Sequence, residues 1–269
     1  LSLYTAVLAT VGMALVYASS SGSVYLRAFV LVLAAATAAV FWSARPQMIS
    51  FVFSALTLYL LHRYQQHPDP RLLWVLPLMM LVWGNCHAGY AAGFILIGAF
   101  VTGEAISTWL KLSPDRLSWR ALRWLVVMTL LSVAALVINP YGPAILSVPF
   151  NTASISALRE FIQEWQSPDL RARQFLPLLL LIAALIGSMW GSRQQMRLSA
   201  LLMVTGTLLM ALWAARNVSL FAITAAPVIT YHADSILSRQ RLQLHEQSQT
   251  SLRQGLLNGL LAALIVVVV

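Results

Sequence analysis

Three side chains suited to gripping a phosphate stand at breaks between apolar runs: Arg45 in "ARPQ" at 44–47, His87 in "WGNCHAG" at 83–89, and Arg216 in "ARN" at 215–217. A guanidinium presents a planar fork of N–H donors that matches phosphate oxygens, and an imidazole adds a further polar contact. Arg45 and Arg216 each follow a long apolar run within a very short connection, so each charge sits near a membrane boundary. Holding a cation there costs about 2.5–3.5 kcal/mol on insertion scales, which marks such residues for function. For each alone the competing reading is a side chain that snorkels to lipid headgroups. Together on one face they form a clamp for a phosphate or pyrophosphate. In the "GNCHAG" turn the glycines permit a tight bend and Asn85 adds an amide; ordinary loop hydrogen bonding by Asn85 and His87 is the alternative.

A second group lies in the connection 143–174. In "SISALREFIQEWQSPDL" the apolar positions Ile155, Leu158, Phe161, Ile162 and Trp165 follow helical spacing. The expectation is a helix along the membrane surface with Trp165 at the interface, ended by "SPD". Glu160 and Glu164, four apart, would then share a face, able to bind a cation or to do acid–base work. Glu104, inside a span and about 22 Å of helix beyond Gly89, belongs to structure near the opposite end. His62 and His67 are expected in solvent on that same side.

The elements that must position these groups follow from composition. With 59% hydrophobic and 9% charged residues and a mean hydropathy of +0.78, the chain is a polytopic membrane protein. The fold class is all-α, because lipid-facing backbone must satisfy itself and no period of two signals a barrel. Ten apolar segments are expected as transmembrane helices, at about 2–18, 26–43, 47–62, 72–84, 88–109, 121–138, 175–190, 197–214, 218–231 and 255–269. Residues 1–232 then form a helical bundle, 233–254 a polar cytoplasmic connector, and 255–269 the start of a further span. The short segments 72–84 and 218–231 suit a recessed site. The net charge of +9 is scattered through loops and does not point to nucleic acid. Sorting the 17 Lys and Arg by alternate loops puts the larger set on one side, the cytoplasm by the positive-inside rule. "ARPQ", "WGNCHAG", "NPYG" with Asn139 and Tyr141, "EWQSPD" and "ARN" then share the outer face and can line one cavity. Cys86 is the sole cysteine, which excludes an internal disulfide and any multi-thiolate metal site. No Walker loop, dinucleotide GxGxxG, HExxH or DxD occurs. No cofactor and no metal ligand set is evident, with a divalent cation left open.

The order "ARPQ", "LPLMMLVWGNCHAGYAAG" followed by "GE", "NPYG", "FIQEWQSPD" and "ARNVSLFAITAAP" resembles bacterial multispan proteins of the GT-C superfamily of glycosyltransferases, over roughly residues 26–231. The resemblance implies an extracytoplasmic site in the bacterial inner membrane, a polyprenyl-phosphate-linked sugar as donor, and inverting transfer without a nucleotide sugar. On that reading Arg45, His87 and Arg216 bind phosphate, and Asn85 and Asn139 orient sugar or phosphate oxygens. Tyr141 and Asn217 join the donor site, and Trp165 packs on sugar or lipid. Glu164 is the candidate acidic group near the acceptor, while the family's main catalytic Asp has no visible equivalent and is expected before Leu1. Two rival readings use the same cavity: a lipid or solute transporter, and a non-catalytic subunit bound to other membrane proteins.

Overall fold

The computed structural model describes residues 2–239. Among them every regular element is helical. The principal helices are α1 (Ser2–Ser19), α2 (Val24–Ala38), α3 (Gln47–Gln66), α4 (Val75–Cys86), α5 (Tyr90–Trp109) and α6 (Trp119–Leu136). After two short pieces, α7 (Val148–Ala153) and α8 (Ser156–Phe161), come α9 (Leu176–Gly191), α10 (Leu198–Trp213) and α11 (Val218–Arg239). Helix starts carry the expected caps: Ser23 and Ser118 accept from the backbone N–H of Leu26 and Ala121, which satisfies donors that a helix N-terminus leaves free.

Six helical stretches among the described residues are long and apolar enough to cross a membrane: Ser2–Ser19, Val24–Phe41, Tyr90–Trp109, Trp119–Leu136, Arg173–Gly191 and Ala215–Arg239. The chain is therefore an α-helical integral membrane protein, and its outward surfaces agree. Phe29, Leu78, Leu130, Trp190 and Leu209 are all exposed, a pattern that water disfavours and hydrocarbon accepts. Ten spans were expected and six meet the length and hydropathy that a lipid crossing demands. The difference has physical causes. Helix α4 has only 12 residues and α10 only 16. Helix α3 is long but carries Gln47, His62, Arg63 and Gln65, and it packs among α1, α4, α5 and α11, so much of its surface faces protein. The expected segment 255–269 lies outside the described residues, as does most of the 233–254 connector. In the part described, α11 continues unbroken from the span through Arg239.

α11 is the interior rod of the bundle, packed against α1, α2, α3, α9 and α10. Hydroxyls buried along it are satisfied locally. Thr224 pairs with Thr207 of α10 at 2.7 Å, one hydroxyl donating to the other, and the accepting hydroxyl gives its own proton to a carbonyl in its preceding turn, as lipid-depth polar groups must. α5 and α10 approach closely at Gly103, where a Cβ would overlap the Ser199 backbone. Glu104 sits beside that crossing, 2% exposed. It accepts from Gln65 Nε2 at 2.5 Å, from Ser199 Oγ at 2.6 Å and from the Leu117 N–H at 3.4 Å, so it ties α3, α5 and α10 together as a structural carboxylate. His67 is exposed as expected, whereas His62 is half-buried with Nδ1 shielded and unpartnered, because α3 turns that face inward.

The surface helix expected over 155–165 is broken. α8 ends at Phe161, Ile162 takes extended backbone (φ −114, ψ 111), and Gln163–Trp165 form a separate 3-10 turn. The cause is tertiary: the Ala215 N–H donates to the Gln166 carbonyl at 2.8 Å, and Ser167 Oγ reaches the Trp213 carbonyl at 3.4 Å. The segment is strapped onto the α10–α11 turn, so Glu160 and Glu164 no longer share a helical face.

Candidate functional site

Helices α3 and α11 and four connections meet at one end of the bundle around a cavity of about 110 Å³. The connection before α3 supplies Phe41 and Trp42, the α4–α5 turn supplies His87 and Gly89, the 3-10 turn after α8 supplies Glu164, and the α10–α11 turn supplies Arg216 and Asn217. α3 contributes a wall that includes Gln47, Ser50 and Ser54. Three of the five outer motifs named from sequence thus place phosphate-type or acidic side chains on one cavity, "ARPQ" contributes Gln47 rather than Arg45, and "NPYG" contributes no lining residue.

Arg216 stands on the 3-10 turn Ala215–Asn217, its guanidinium stacked 4.1 Å over the Trp165 ring. The stack holds the plane of the fork while spending none of its N–H donors on the described residues, a geometry open to an oxygen ligand. Glu164 also lines the cavity, but its carboxylate is 3.8 Å from the guanidinium of the largely exposed Arg45. Arg45 therefore reaches the site only through Glu164. Trp165 supports Arg216 from behind and is not among the lining residues.

His87 closes α4 in extended backbone, with Gly89 just before α5. Its Nδ1 lies 2.6 Å from Ser50 Oγ and receives the Gly89 N–H at 3.1 Å. Ser50 Oγ in turn receives the Trp83 indole N–H at 2.6 Å. Burial, and behind it the Arg216 charge, push His87 below its ordinary pKa, with Glu164 pulling the other way. His87 is neutral at pH 7 on this account.

The remaining sequence candidates serve the frame. The Asn85 amide donates to the carbonyls of Leu81 and Ile138, at 2.8 and 2.9 Å, and so joins the ends of α4 and α6. Asn139 accepts from the Tyr141 N–H at 2.7 Å and donates to the Leu136 carbonyl at 2.6 Å, closing a turn of its own. Tyr141 is exposed, and none of these three lines the cavity. Asn217 does line it, with Nδ2 donated to the Met210 carbonyl at 3.1 Å.

Sequence reading missed Trp42, Ser50, Ser54 and Trp83. A signal for two of them exists, since Gln47, Ser50, Ser54 and Thr57 form a polar stripe at helical spacing along an otherwise apolar α3. Trp42 lines the cavity and its indole N–H is buried without a partner. Among the described residues no group of three or more His, Cys, Asp or Glu is placed to hold a metal ion. The chain matches no known family's sequence profile, and no characterised protein or solved structure is detectably similar to it.

Proposed function

We propose that the chain is the donor-binding part of a membrane glycosyltransferase, and that the cavity receives the phosphate of a polyprenyl-phosphate-linked sugar. One observation supports this above the others: the cavity is surrounded by donors with nothing to donate to. The Arg216 fork, His87 Nε2, the Trp42 indole and the Ser54 hydroxyl have no hydrogen-bond acceptor among the described residues. Of these the Trp42 indole N–H is shut from solvent, where a donor is rarely left without an acceptor; the other three open on the cavity, and an anionic oxygen ligand there could accept from all four kinds.

Charge and size narrow the ligand. Glu164 acts on both Arg45 and Arg216, so two guanidiniums and one carboxylate leave a net single positive charge, which favours a single negative charge, as on a phosphodiester. The cavity is well below the roughly 300–1,000 Å³ of drug-sized sites, so the phosphate enters while sugar and lipid lie outside. Exposed apolar residues on the strap, Phe161 and Ile162 among them, offer the lipid tail a surface at the bundle end. The site then faces outward from a bacterial inner membrane, as the loop charges suggest.

In the transfer step an acceptor hydroxyl attacks the anomeric carbon, the bond from that carbon to the phosphate oxygen breaks, and polyprenyl phosphate leaves carrying one further negative charge. Arg216 and His87 stabilise that developing charge. Glu164 is the acidic residue among those lining the cavity and is the candidate to accept the acceptor's proton. The test uses full-length protein in proteoliposomes with radiolabelled polyprenyl-phosphate sugars, followed by extraction of labelled acceptor. Transfer should fall at least tenfold in Arg216→Ala and recover in part in Arg216→Lys, since an ammonium lacks the bidentate fork. No transfer from any donor, with Arg216-dependent movement of intact donor, would make this a transporter instead; neither activity would leave a non-catalytic subunit.

A further inference from the structure

The hydrogen bonds around His87 fix their own direction. A backbone N–H and an indole N–H can only donate. The Gly89 N–H donates to Nδ1 at 3.1 Å, so Nδ1 must be a bare acceptor. The Trp83 indole donates to Ser50 Oγ at 2.6 Å, which occupies a lone pair of that oxygen and leaves its proton free to point elsewhere. Ser50 Oγ is 2.6 Å from the same Nδ1, and because Nδ1 carries no proton the hydroxyl must be the donor.

We infer that Ser50 and Trp83 are positioning residues that hold His87 as a neutral imidazole with its proton on Nε2, so that the ring meets the ligand as a hydrogen-bond donor and not as a base or a cation. The donor role rests on the phosphate reading above; the tautomer does not. Two donors converging on Nδ1 oppose any proton there, and the lowered pKa of His87 agrees in direction. The charged groups that act on the ring are Arg216 from the α10–α11 turn and Glu164 from the strap, and Glu164 is itself paired with Arg45. Nε2 has no partner among the described residues while His87 lines the cavity.

The packing around the relay is built for it. Trp83 is fully buried, its ring 5.5 Å from that of Phe53, so the indole cannot swing away from Ser50. A methyl group on Gly89 would overlap Ser50 Oγ and stand 2.8 Å from His87 Nδ1. The glycine is therefore required at the point where the serine hydroxyl donates its hydrogen bond to the ring, independently of backbone freedom, since Gly89 has ordinary right-handed φ of −71.

The test is nitrogen NMR of the full-length chain in nanodiscs with ¹⁵N-histidine, His87 being assigned from the difference against His87→Gln. At pH 7 the wild type should show one protonated and one bare ring nitrogen, with the proton on Nε2. Ser50→Ala should raise the protonated-ring fraction at pH 6 and Ser50→Thr should restore the wild-type pattern, a rescue that a merely structural serine would not give. Trp83→Phe keeps the ring packing and should give a weaker shift in the same direction. Farnesyl methyl phosphate, a monoanionic phosphodiester, should move the Nε2–H resonance and bind roughly fivefold more weakly to Ser50→Ala, the size of about one hydrogen bond. An imidazolium at pH 7, a proton on Nδ1, or spectra indifferent to both Ser50→Ala and Trp83→Phe would overturn the relay. The expected tautomer with an Nε2 resonance blind to the phosphodiester would overturn the donor role and the phosphate reading, leaving the relay standing.

Discussion

At the scale of single residues, the ring of His87 couples the cavity to pH. Its folded-state pKa lies below the ordinary value, with burial the largest cause, so the unfolded chain takes up this proton first as pH falls. Unfolding thus absorbs a proton in the window from about pH 6.5 down to the folded value, and stability declines through that window. Above it, His87 is neutral in both states and contributes no slope. His87→Gln should flatten part of the decline in detergent-solubilised protein, seen as a smaller drop in thermal midpoint between pH 7 and pH 5 than in wild type; equal drops would contradict the assignment. Asn85 makes the opposite kind of prediction. Its amide bridges Leu81 and Ile138, so Asn85→Ala should cost about 0.5–1.5 kcal/mol of stability while phosphodiester affinity stays at the wild-type level. Lost affinity with unchanged stability would return Asn85 to the binding site. Sequence placed Asn85 and His87 together because both interrupt apolar sequence, yet only one lines the cavity. The difference lies in which carbonyls happen to be near, and in Ile138, which is 53 residues away.

At the scale of elements, nine of the expected apolar segments are helices, eight near the expected bounds and the ninth, α11, running on to Arg239, because a backbone in hydrocarbon has few other ways to satisfy itself. The strap was misread for a reason that periodicity cannot see. Residues 155–165 have helical apolar spacing, but the carbonyl of Gln166 is claimed by Ala215, and the chain bends to meet it. Ser50 and Trp83 were hidden differently: a serine in an apolar helix commonly bonds back to its own turn, and nothing local says that it faces an indole 33 residues on. The strap matters because it brings Trp165 under Arg216. Trp165→Ala should weaken phosphodiester binding by roughly 2- to 30-fold, the span of cation–π energies, with Trp165→Phe falling between. At the opposite end, Gly103→Val should wedge α5 from α10 against the Ser199 backbone and cost about 1–3 kcal/mol by overpacking, read as a lowered midpoint of unfolding without change in affinity at the far cavity.

At the scale of the whole molecule, the cavity lies at one end of the bundle and the Glu104 cluster lies beside the other end of α5. The positive-inside rule, applied to the loop charges, proposes the cavity end as the outer one. In a Cys86→Ser background, a cysteine at Asn151 should react with an impermeant maleimide in intact cells, and one at Asp115 only after permeabilisation; the reverse pattern would turn the site to the cytoplasm. The strap also sets an order of assembly. Its docking partners, Trp213 and Ala215, and the guanidinium that Trp165 underlies, all belong to sequence made about 50 residues after the strap itself. At roughly 5–20 residues per second of synthesis the strap waits for several seconds with no turn to dock on. The cavity therefore cannot mature before the α10–α11 turn has been made, and a nascent chain halted before residue 215 should be cut by external protease within 156–167 where the finished protein resists.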